Sequence, residues 1–379
     1  MALTIGVPRE TAPGEARVAL ASDAARRLVR KGCEVRVEQG AGERAFISDA
    51  DFEAAGCHIV DRAEALASGA VCTVSGLDAS GLDGLASGAV VLGLLRPLDD
   101  TTAVEALAAR GATAVAMEMV PRTSRAQRMD ALSAMSTVSG YRAALLAAFR
   151  LPQFFPLLTT AAGTVRPARV LVIGAGVAGL QALATARRLG AITAGYDVRA
   201  AAREQVESVG ASFVELDMET ADQEDAGGYA KALAEDEAAR QVEALAKVLP
   251  DYHVVITTAL IPGRAAPVLI TARGVAGMRP GSVIVDLAAA NGGNVEATRA
   301  DEEIVASGVT VLGPTNLAAE MPTHASEMYG RTVAAFLLEF LDDEGTLNLD
   351  PEDEIVAGAV VARDGEIVHP RVLAALAPA

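Results

Sequence analysis

The chain has 379 residues, a formal net charge of −17 and a hydrophobic content of 51%, with only 3% aromatic residues and no Trp. This length suggests two domains and allows a large core built mainly from Ala, Val and Leu. The negative charge argues against nucleic acid and anionic membrane surfaces as partners. No window reaches 18 uninterrupted apolar residues, so we expect no membrane-spanning segment in this chain.

The three cysteines and four histidines are scattered, without the spacing of metal ligands. We therefore expect no metal site. The odd number of cysteines favours a reducing compartment. The first residues, MALTIGVPRE, predict a strand and a polar turn rather than an export signal, which favours the cytoplasm.

The first third of the chain alternates short apolar strands with amphipathic helices. Proline ends two of the strands, and Gly111 ends the helix between them. Alternation of this kind predicts a doubly wound parallel sheet. The predicted strands are 3–8, 34–40, 89–97 and 113–121, and the predicted helices are 22–31, one from about 49, and 104–110.

A second domain of the same type follows a long predicted helix over 134–150. Its strands are expected at 170–174, at a segment that ends with Asp197, and at 211–217, 251–260, 281–288 and 309–314. The segment 218–236 is acidic and poor in apolar residues, which indicates a mobile loop or a solvated helical excursion. The fold class is therefore α/β, with two Rossmann-like doubly wound parallel-sheet domains.

After Thr315 the chain is expected to return to the first domain through an apolar helix over 328–345. The tail 355–370 reads as a β-hairpin with its turn at 363–365. The first domain is then discontinuous, comprising 1–133 and 320–379, and the dinucleotide-binding domain comprises 134–319. The helix and the hairpin also offer apolar surface for a homodimer.

The most informative segment is 169–199, RVLVIGAGVAGLQALATARRLGAITAGYDVR, which reads as strand, glycine-rich turn, helix, strand and acidic residue. Gly174, Gly176 and Gly179 have the G-x-G-x-x-G spacing that allows a tight turn, approach to a pyrophosphate and close helix–strand packing. Asp197 stands where a carboxylate accepts hydrogen bonds from the adenosine ribose. The pattern predicts dinucleotide binding, and the neighbouring contacts are expected from Ala175, Val177, Val198 and Arg199.

The same segment bears on the choice of dinucleotide. Asp197 favours NAD because its charge repels a 2′-phosphate. Arg199, two residues further on, could instead hold that phosphate and would favour NADP. Asp197 has the position that meets the ribose, so we expect NAD(H). Four further cofactor contacts are expected around the C-terminal end of the strand over 251–260, where open α/β sheets bind ligands, at Ala259, Leu260, Pro262 and Gly263.

Several segments together resemble the alanine dehydrogenase/NAD(P) transhydrogenase superfamily. They are GVPRETAPGEARVAL, GAGVAGLQA with YDVR, TTALIPGRAAP and PGSVIVDLA. PRTSRAQRMDALSAMS (121–136), VDLAAANGGN (285–294) and EDEIVAGAVVARDGEIVHP look like the transhydrogenase form. The resemblance covers the whole chain and is best for the soluble NAD(H)-binding component of the proton-translocating transhydrogenase alpha subunit.

This resemblance implies direct hydride transfer between NAD(H) on this chain and NADP(H) carried by a separate beta-subunit module. It also implies a membrane-spanning proton-channel partner, a homodimer, and a cytoplasmic location at the inner membrane through those partners. In the nicotinamide loop, Arg122 and Ser133 would hold the carboxamide or adjacent groups, Gln127 would lie between the two nucleotides, and Asp130 would orient Arg122. Tyr229 looks like the loop tyrosine that closes over NAD(H).

Each of these assignments has a plainer alternative. Arg122 and Asp130 could be a surface ion pair at a helix N-terminus, and Tyr229 an exposed residue of a flexible loop. A free-standing alanine or amino-acid dehydrogenase would need a Lys in 71–78, a His where Arg96 stands and an Asp where Ala290 stands, beside Arg17. Three of these four groups are missing, and with them the general acid/base. A non-catalytic NAD-binding regulator is the remaining alternative.

Overall fold

A computed structural model describes residues 2–216, 235–261 and 263–376. The chain divides into two compact units, Met1–Met135 with Ala318–Ala379, and Ser136–Leu317. Each division lies two residues from the one expected from the sequence. The first unit is built from both ends of the chain.

The strands of the described residues follow one another along the chain as short segments. They are β1 Thr4–Val7, β2 Glu34–Glu38, β3 His58–Val60, β4 Ala70–Cys72, β5 Val90–Gly93, β6 Thr113–Ala116, β7 Leu158–Thr160, β8 Gly163–Val165, β9 Arg169–Ile173, β10 Ile192–Tyr196, β11 Ser212–Phe213, β12 Val254–Thr257, β13 Val283–Asp286, β14 Glu303–Ala306, β15 Val309–Leu312, β16 Val360–Arg363 and β17 Glu366–Ile367.

The α-helices range from one turn to more than five. They are α1 Ser22–Arg30, α2 Asp49–Glu53, α3 Arg62–Leu66, α4 Ala79–Asp83, α5 Thr102–Ala109, α6 Ala131–Arg150, α7 Val177–Arg188, α8 Ala202–Ser208, α9 Glu235–Val248, α10 Ala272–Gly277, α11 Pro322–Phe340, α12 Glu354–Ala359 and α13 Pro370–Leu376.

The first unit contains an eight-stranded sheet with the order β17-β16-β6-β5-β4-β1-β2-β3. Strands β1 to β6 are mutually parallel, and β16 joins the edge antiparallel to β6. Helix α11 packs on α1 and buries its apolar side chains, including Tyr329 and Phe336. The helix expected to offer dimer surface is thus largely buried inside the unit, whereas Val368 beside the C-terminal hairpin is 45% exposed, so a dimer contact on these two elements stays a prediction.

The second unit contains a seven-stranded sheet with the order β11-β10-β9-β12-β13-β15-β14. All of its pairs are parallel except β14 with β15. Its central strands β9, β12 and β13 are buried apart from Arg169 at the start of β9, as is typical of parallel strands covered on both faces. The Rossmann-like parallel α/β prediction is confirmed for both units, with antiparallel strands added at one edge of each sheet.

Several expected elements have other bounds in the structure. The strand expected over 89–97 ends at Gly93, and Arg96 has a positive φ of 52°, which no strand residue adopts. Residues 354–359 form α12 instead of the start of a hairpin, because Asp353 caps them by accepting hydrogen bonds from the amides of Ile355 and Val356. Only β16 and β17 form the predicted hairpin.

Two of the strand features that were not expected lie outside the parallel core of the sheets. The pair β7 and β8 forms a separate antiparallel hairpin, and β14 is an edge strand. Both consist of short segments with mostly exposed side chains, so they lack the apolar run by which buried strands are recognised.

Candidate functional site

The glycines of the turn between β9 and α7 differ in how much space a side chain would have at each position. Gly174 has φ 98°, which favours glycine, and a Cβ there would lie 2.5 Å from Oγ1 of Thr258. A Cβ on Gly179 would lie 1.9 Å from the carbonyl oxygen of Gly174. A Cβ on Gly176 would meet no described atom within 4 Å. Gly174 and Gly179 are thus required by the turn itself, whereas Gly176 leaves open space in front of it.

This open space lies at the N-terminus of α7. Gly176 is the N-cap residue and has no side chain to cap the helix. The first amides of a helix have no intrahelical acceptor and attract anions together with the helix dipole. Ala175 is buried behind the turn, and Val177 is 39% exposed beside it. The geometry is that of a phosphate-binding helix terminus.

Asp197 follows β10 directly and lies beside the glycine turn. Its Oδ2 accepts a hydrogen bond of 2.7 Å from the amide of Ala175. Its Oδ1 accepts 2.9 Å and 3.0 Å bonds from the amide and Nε of Arg199, and Oδ2 accepts a further 3.0 Å bond from Nη2 of Arg199. The intervening Val198 packs against the buried cluster around β9 and β10. The carboxylate predicted to meet a ribose is thus held at the turn, and paired with an arginine.

The loop after β12 also reaches the glycine turn. Thr258 donates its amide to the carbonyl of Ile173 and its hydroxyl to the carbonyl of Gly174, both at 2.8 Å. Ala259 follows half-buried, Leu260 is 40% exposed, and Gly263 has φ 75° in an exposed turn. The structure therefore brings the β12 loop and the turn after β9 together, as expected from the topology of a parallel sheet.

Two residues that the sequence reasoning did not single out organise this loop. Asn294 is fully buried; its Oδ1 accepts from the amide of Ala259 at 3.0 Å, and its Nδ2 donates to the carbonyls of Ala259 and Pro267 at 2.8 and 2.9 Å. The Asp286 carboxylate, also fully buried, accepts the amides of Asn294 and Val295. The signal that could have found them is an acidic residue at the end of a buried strand, followed eight residues later by an amide side chain.

In the first unit, the predicted nicotinamide loop leads into α6. Gln127 lies exposed in a 3₁₀ turn, Gln127–Met129. Asp130 accepts the amide of Ser133 at 2.8 Å and its hydroxyl at 2.6 Å, so it caps α6. The Nε of Arg122 lies 3.9 Å from Oδ2 of Asp130. Arg122, Asp130 and Ser133 therefore form one cluster, in which the Asp130–Ser133 contact is the tighter one.

Two predicted site residues, Tyr229 and Pro262, lie outside the described residues. The same holds for most of the acidic segment 218–236 that contains Tyr229. Their assigned contacts with NAD(H) remain predictions.

The positions expected of an amino-acid dehydrogenase have other chemistry here. Arg17 is 5% exposed and forms a bidentate pair with Glu15, at 2.7 Å from Nε and 2.5 Å from Nη2. Arg96 points outward and pairs with Asp99 at 3.1 Å. Ala290 has no polar group to offer. Arg17, the one residue that fits the amino-acid dehydrogenase pattern, is therefore already paired with the buried carboxylate of Glu15. This pairing makes it poorly suited to bind the carboxylate of a substrate.

The described residues offer neither a metal site nor a membrane span. They contain no group of three or more His, Cys, Asp or Glu side chains that could hold a metal ion. Among the helices of those same residues, none combines the length and apolarity needed to cross a bilayer.

Comparison with known sequences decides the family. The N-terminal domain of alanine dehydrogenase/PNT matches residues 6–139, and the C-terminal domain of alanine dehydrogenase/PNT matches residues 143–370. The chain belongs to the alanine dehydrogenase/PNT family. Both halves of the family's architecture are therefore present, and the glycine turn with Asp197 lies in the C-terminal family domain.

Within the alanine dehydrogenase/PNT family, the chain is more similar to transhydrogenases. It is 46% identical to the first part of the NAD(P) transhydrogenase subunit alpha of Rhodospirillum rubrum, over 97% of this chain and 98% of the relative. A transhydrogenase structure from Sinorhizobium meliloti superimposes with a TM-score of 0.88 at 38% identity, covering 96% of this chain and all of the other. An alanine dehydrogenase of Halomonas elongata is 30% identical over 97% of this chain and 95% of its own length.

Proposed function

We propose that this chain is the NAD(H)-binding subunit of a proton-translocating NAD(P) transhydrogenase. The observation that carries the proposal is the 46% identity to the Rhodospirillum rubrum subunit over 97% of this chain and 98% of the relative. The chemistry at Arg17, Arg96 and Ala290 supports it, because it lacks the acid/base group that oxidative deamination requires. The enzyme activity would be transfer of a hydride between two nicotinamide dinucleotides.

The residues of the second unit fit NAD(H). The open space at Gly176 and the uncapped start of α7 suit a pyrophosphate. The carboxylate of Asp197 is an acceptor for ribose hydroxyls and disfavours a 2′-phosphate. Ala259, Leu260 and Gly263 would line the same cofactor, and Pro262 would belong with them.

When bound, the nicotinamide ring supplies or accepts the hydride, so this chain needs only to bind and orient it. We assign orientation of the carboxamide to Arg122 and Ser133, with Asp130 holding Ser133 in place. Gln127, exposed in its 3₁₀ turn, would contact the second nucleotide. Tyr229 would close over NAD(H).

The proposal requires partners. NADP(H) would be carried by a beta-subunit module, and a membrane-spanning subunit would conduct the protons. The subunit would then be cytoplasmic and peripheral at the inner membrane through those partners. Nucleic acid is not among them, as the charge of −17 implies.

We also propose a homodimer, and assign its contact to the hairpin β7–β8 and the chain before it. Phe149, Phe154, Leu157 and Val165 are 78%, 57%, 59% and 42% exposed. These four exposed apolar side chains lie within 17 residues of one another in the sequence, and exposed apolar patches are typical of protein interfaces. Sedimentation velocity should give a dimer for the wild type, and F154S/L157S should lower the dimer fraction. A monomeric wild-type protein would contradict the assignment.

The transhydrogenase proposal is tested by NADPH-driven reduction of an NAD analogue, with and without a separately prepared NADP(H)-binding module. We expect reduction only when the module is present. Binding of NADH without any transfer to a competent module would overturn the proposal and favour the NAD-binding regulator. Oxidation of alanine by the chain alone would instead favour the alanine dehydrogenase alternative, whose family relative is 30% identical.

A further inference from the structure

The carboxylate of Asp197 has its acceptor positions filled by the protein itself. A carboxylate offers about four lone-pair positions. Here the backbone amides of Ala175 and Arg199 take one position on each oxygen, at 2.7 and 2.9 Å. The Nε and Nη2 of Arg199 take a second position on each oxygen, both at 3.0 Å. The Arg199 side chain is 14% exposed and that of Asp197 6% exposed, so the pair is largely shielded from water.

The guanidinium occupies the positions that a ribose would need. The adenosine ribose has two adjacent hydroxyls, each of which can donate one hydrogen bond to a carboxylate. The two amide bonds leave one position on each Asp197 oxygen, and these are the positions that Nε and Nη2 of Arg199 fill. The fork of an arginine donates two parallel bonds in the same way. The ribose and the Arg199 side chain are therefore competitors for Asp197.

We propose that Arg199 is a specificity-determining latch on the cofactor site, which covers Asp197 in the free protein and is displaced by the adenosine ribose. This inference rests on the proposed binding of NAD(H) at Asp197. The apparent affinity for NADH then equals the intrinsic affinity multiplied by the fraction of molecules in which the latch is open. The latch also keeps a positive charge near the ribose after displacement, which reduces the repulsion between Asp197 and a 2′-phosphate.

The latch predicts that R199Q changes the affinities for NADH and NADPH in opposite directions. Glutamine removes the charge and the fork but leaves both amide bonds to Asp197. NADH should bind more tightly, on the order of tenfold if the latch is closed in about nine molecules of ten. NADPH should bind more weakly, since Asp197 then repels the 2′-phosphate without compensation. The ratio of the two affinities is the decisive quantity, because a merely structural role would move both affinities in the same direction.

The experiment is a fluorescence titration of the full chain with NADH, with NADPH and with an NADH analogue that lacks both adenosine-ribose hydroxyls. R203Q is the matched control, because Arg203 lies four residues on and pairs with Glu207 and Glu215. R199Q should tighten NADH, weaken NADPH and leave the analogue unchanged, and R203Q should change none of them. R199K keeps the charge without the fork and should tighten NADH to a smaller extent. Should R199Q fail to fold, R199K carries the test alone.

The outcomes separate this inference from the proposed function. A wild-type protein that binds no NADH refutes the proposed function, whatever Arg199 does. A wild-type protein that binds NADH, with R199Q binding it equally or more weakly, overturns the latch. Weaker binding of NADH by R199Q would mean that Arg199 contacts the bound cofactor instead of competing with it.

Discussion

The carbonyl oxygen of Gly174 lies 1.9 Å from the place that a Cβ atom on Gly179 would take. Helix α7 therefore rests directly on the turn that precedes it, and no side chain fits there. This contact positions the first amides of α7 beside the turn. Gly179 and Gly176 therefore have different surroundings although they belong to one motif, because Gly176 has no such neighbour among the described residues.

Substitutions at these two glycines should have different effects. G179A should lower the free energy of unfolding by about 2 kcal/mol or more, because the backbone has to move to relieve the overlap. G176A should change stability little, since its φ is −76° and its surroundings are open, but it should weaken NADH binding by filling the phosphate space. Denaturant unfolding and NADH titration of both variants check this. Equal NADH affinities for G176A and the wild type would contradict the assigned phosphate site.

The sequence was informative where one local pattern determines both fold and chemistry. The run from β9 to Asp197 could be predicted because its strand, glycines and acidic residue are within one βαβ unit. The Arg199–Asp197 pairing could not, because a sequence does not show which way a long side chain folds. The hydrogen bonds of Asn294 could not be predicted either, since its partners at Ala259 and Pro267 lie 35 and 27 residues away in the sequence.

Asn294 should position the loop that follows β12. N294D keeps the acceptor for the Ala259 amide but turns a carboxylate oxygen toward the carbonyls of Ala259 and Pro267, which have no proton to offer it. Loss of buried hydrogen bonds costs about 1–3 kcal/mol per group, so stability should fall. NADH affinity should fall as well, because the loop is released.

The matched control is T298V. Thr298 donates its hydroxyl to Asp286 at 2.7 Å, and no hydrogen bond among the described residues joins its side chain to the loop after β12. T298V should lower the free energy of unfolding while leaving NADH affinity near the wild-type value. The two variants are compared by thermal unfolding and NADH titration. If T298V weakens NADH as much as N294D does, general loss of stability explains both, and Asn294 has no specific positioning role.

Gln127 is the cleaner probe of hydride transfer. Asp130 caps α6, and D130A would remove this cap at a cost of about 1 kcal/mol of stability, so D130A combines a structural and a functional effect. Gln127 is exposed, and Q127A should leave unfolding unchanged. Both variants should slow transfer strongly in single-turnover measurements with the NADP(H) module, with NADH affinity within a few-fold of wild type. Wild-type transfer rates in Q127A would remove the loop from the proposed mechanism.

Glu118 should make stability fall as the pH rises. Its Oε2 is buried and has no hydrogen-bond partner among the described residues, while Oε1 accepts from the amide of Arg96. Burial raises its pKa from the ordinary 4.5 to about 7, and the nearby carboxylate of Asp99 adds to this. Between these two values the folded protein keeps the proton that the unfolded chain releases. Stability is therefore lost from about pH 4.5 to about pH 7 and constant above, by at most about 3 kcal/mol, since one pKa unit is about 1.4 kcal/mol.

E118Q tests this directly, because glutamine can still accept the Arg96 amide and carries no charge at any pH. The variant should match the wild type near pH 5 and be more stable near pH 8. Some of the slope should survive in E118Q, because burial also raises the pKa of Glu10 to about 7. E366Q, on the exposed edge strand β17, removes one charge without this environment and should keep the full wild-type slope. Urea unfolding of the three proteins between pH 5 and 8 is the measurement, and parallel curves for E118Q and wild type would show that Glu118 is ionised in the folded protein throughout.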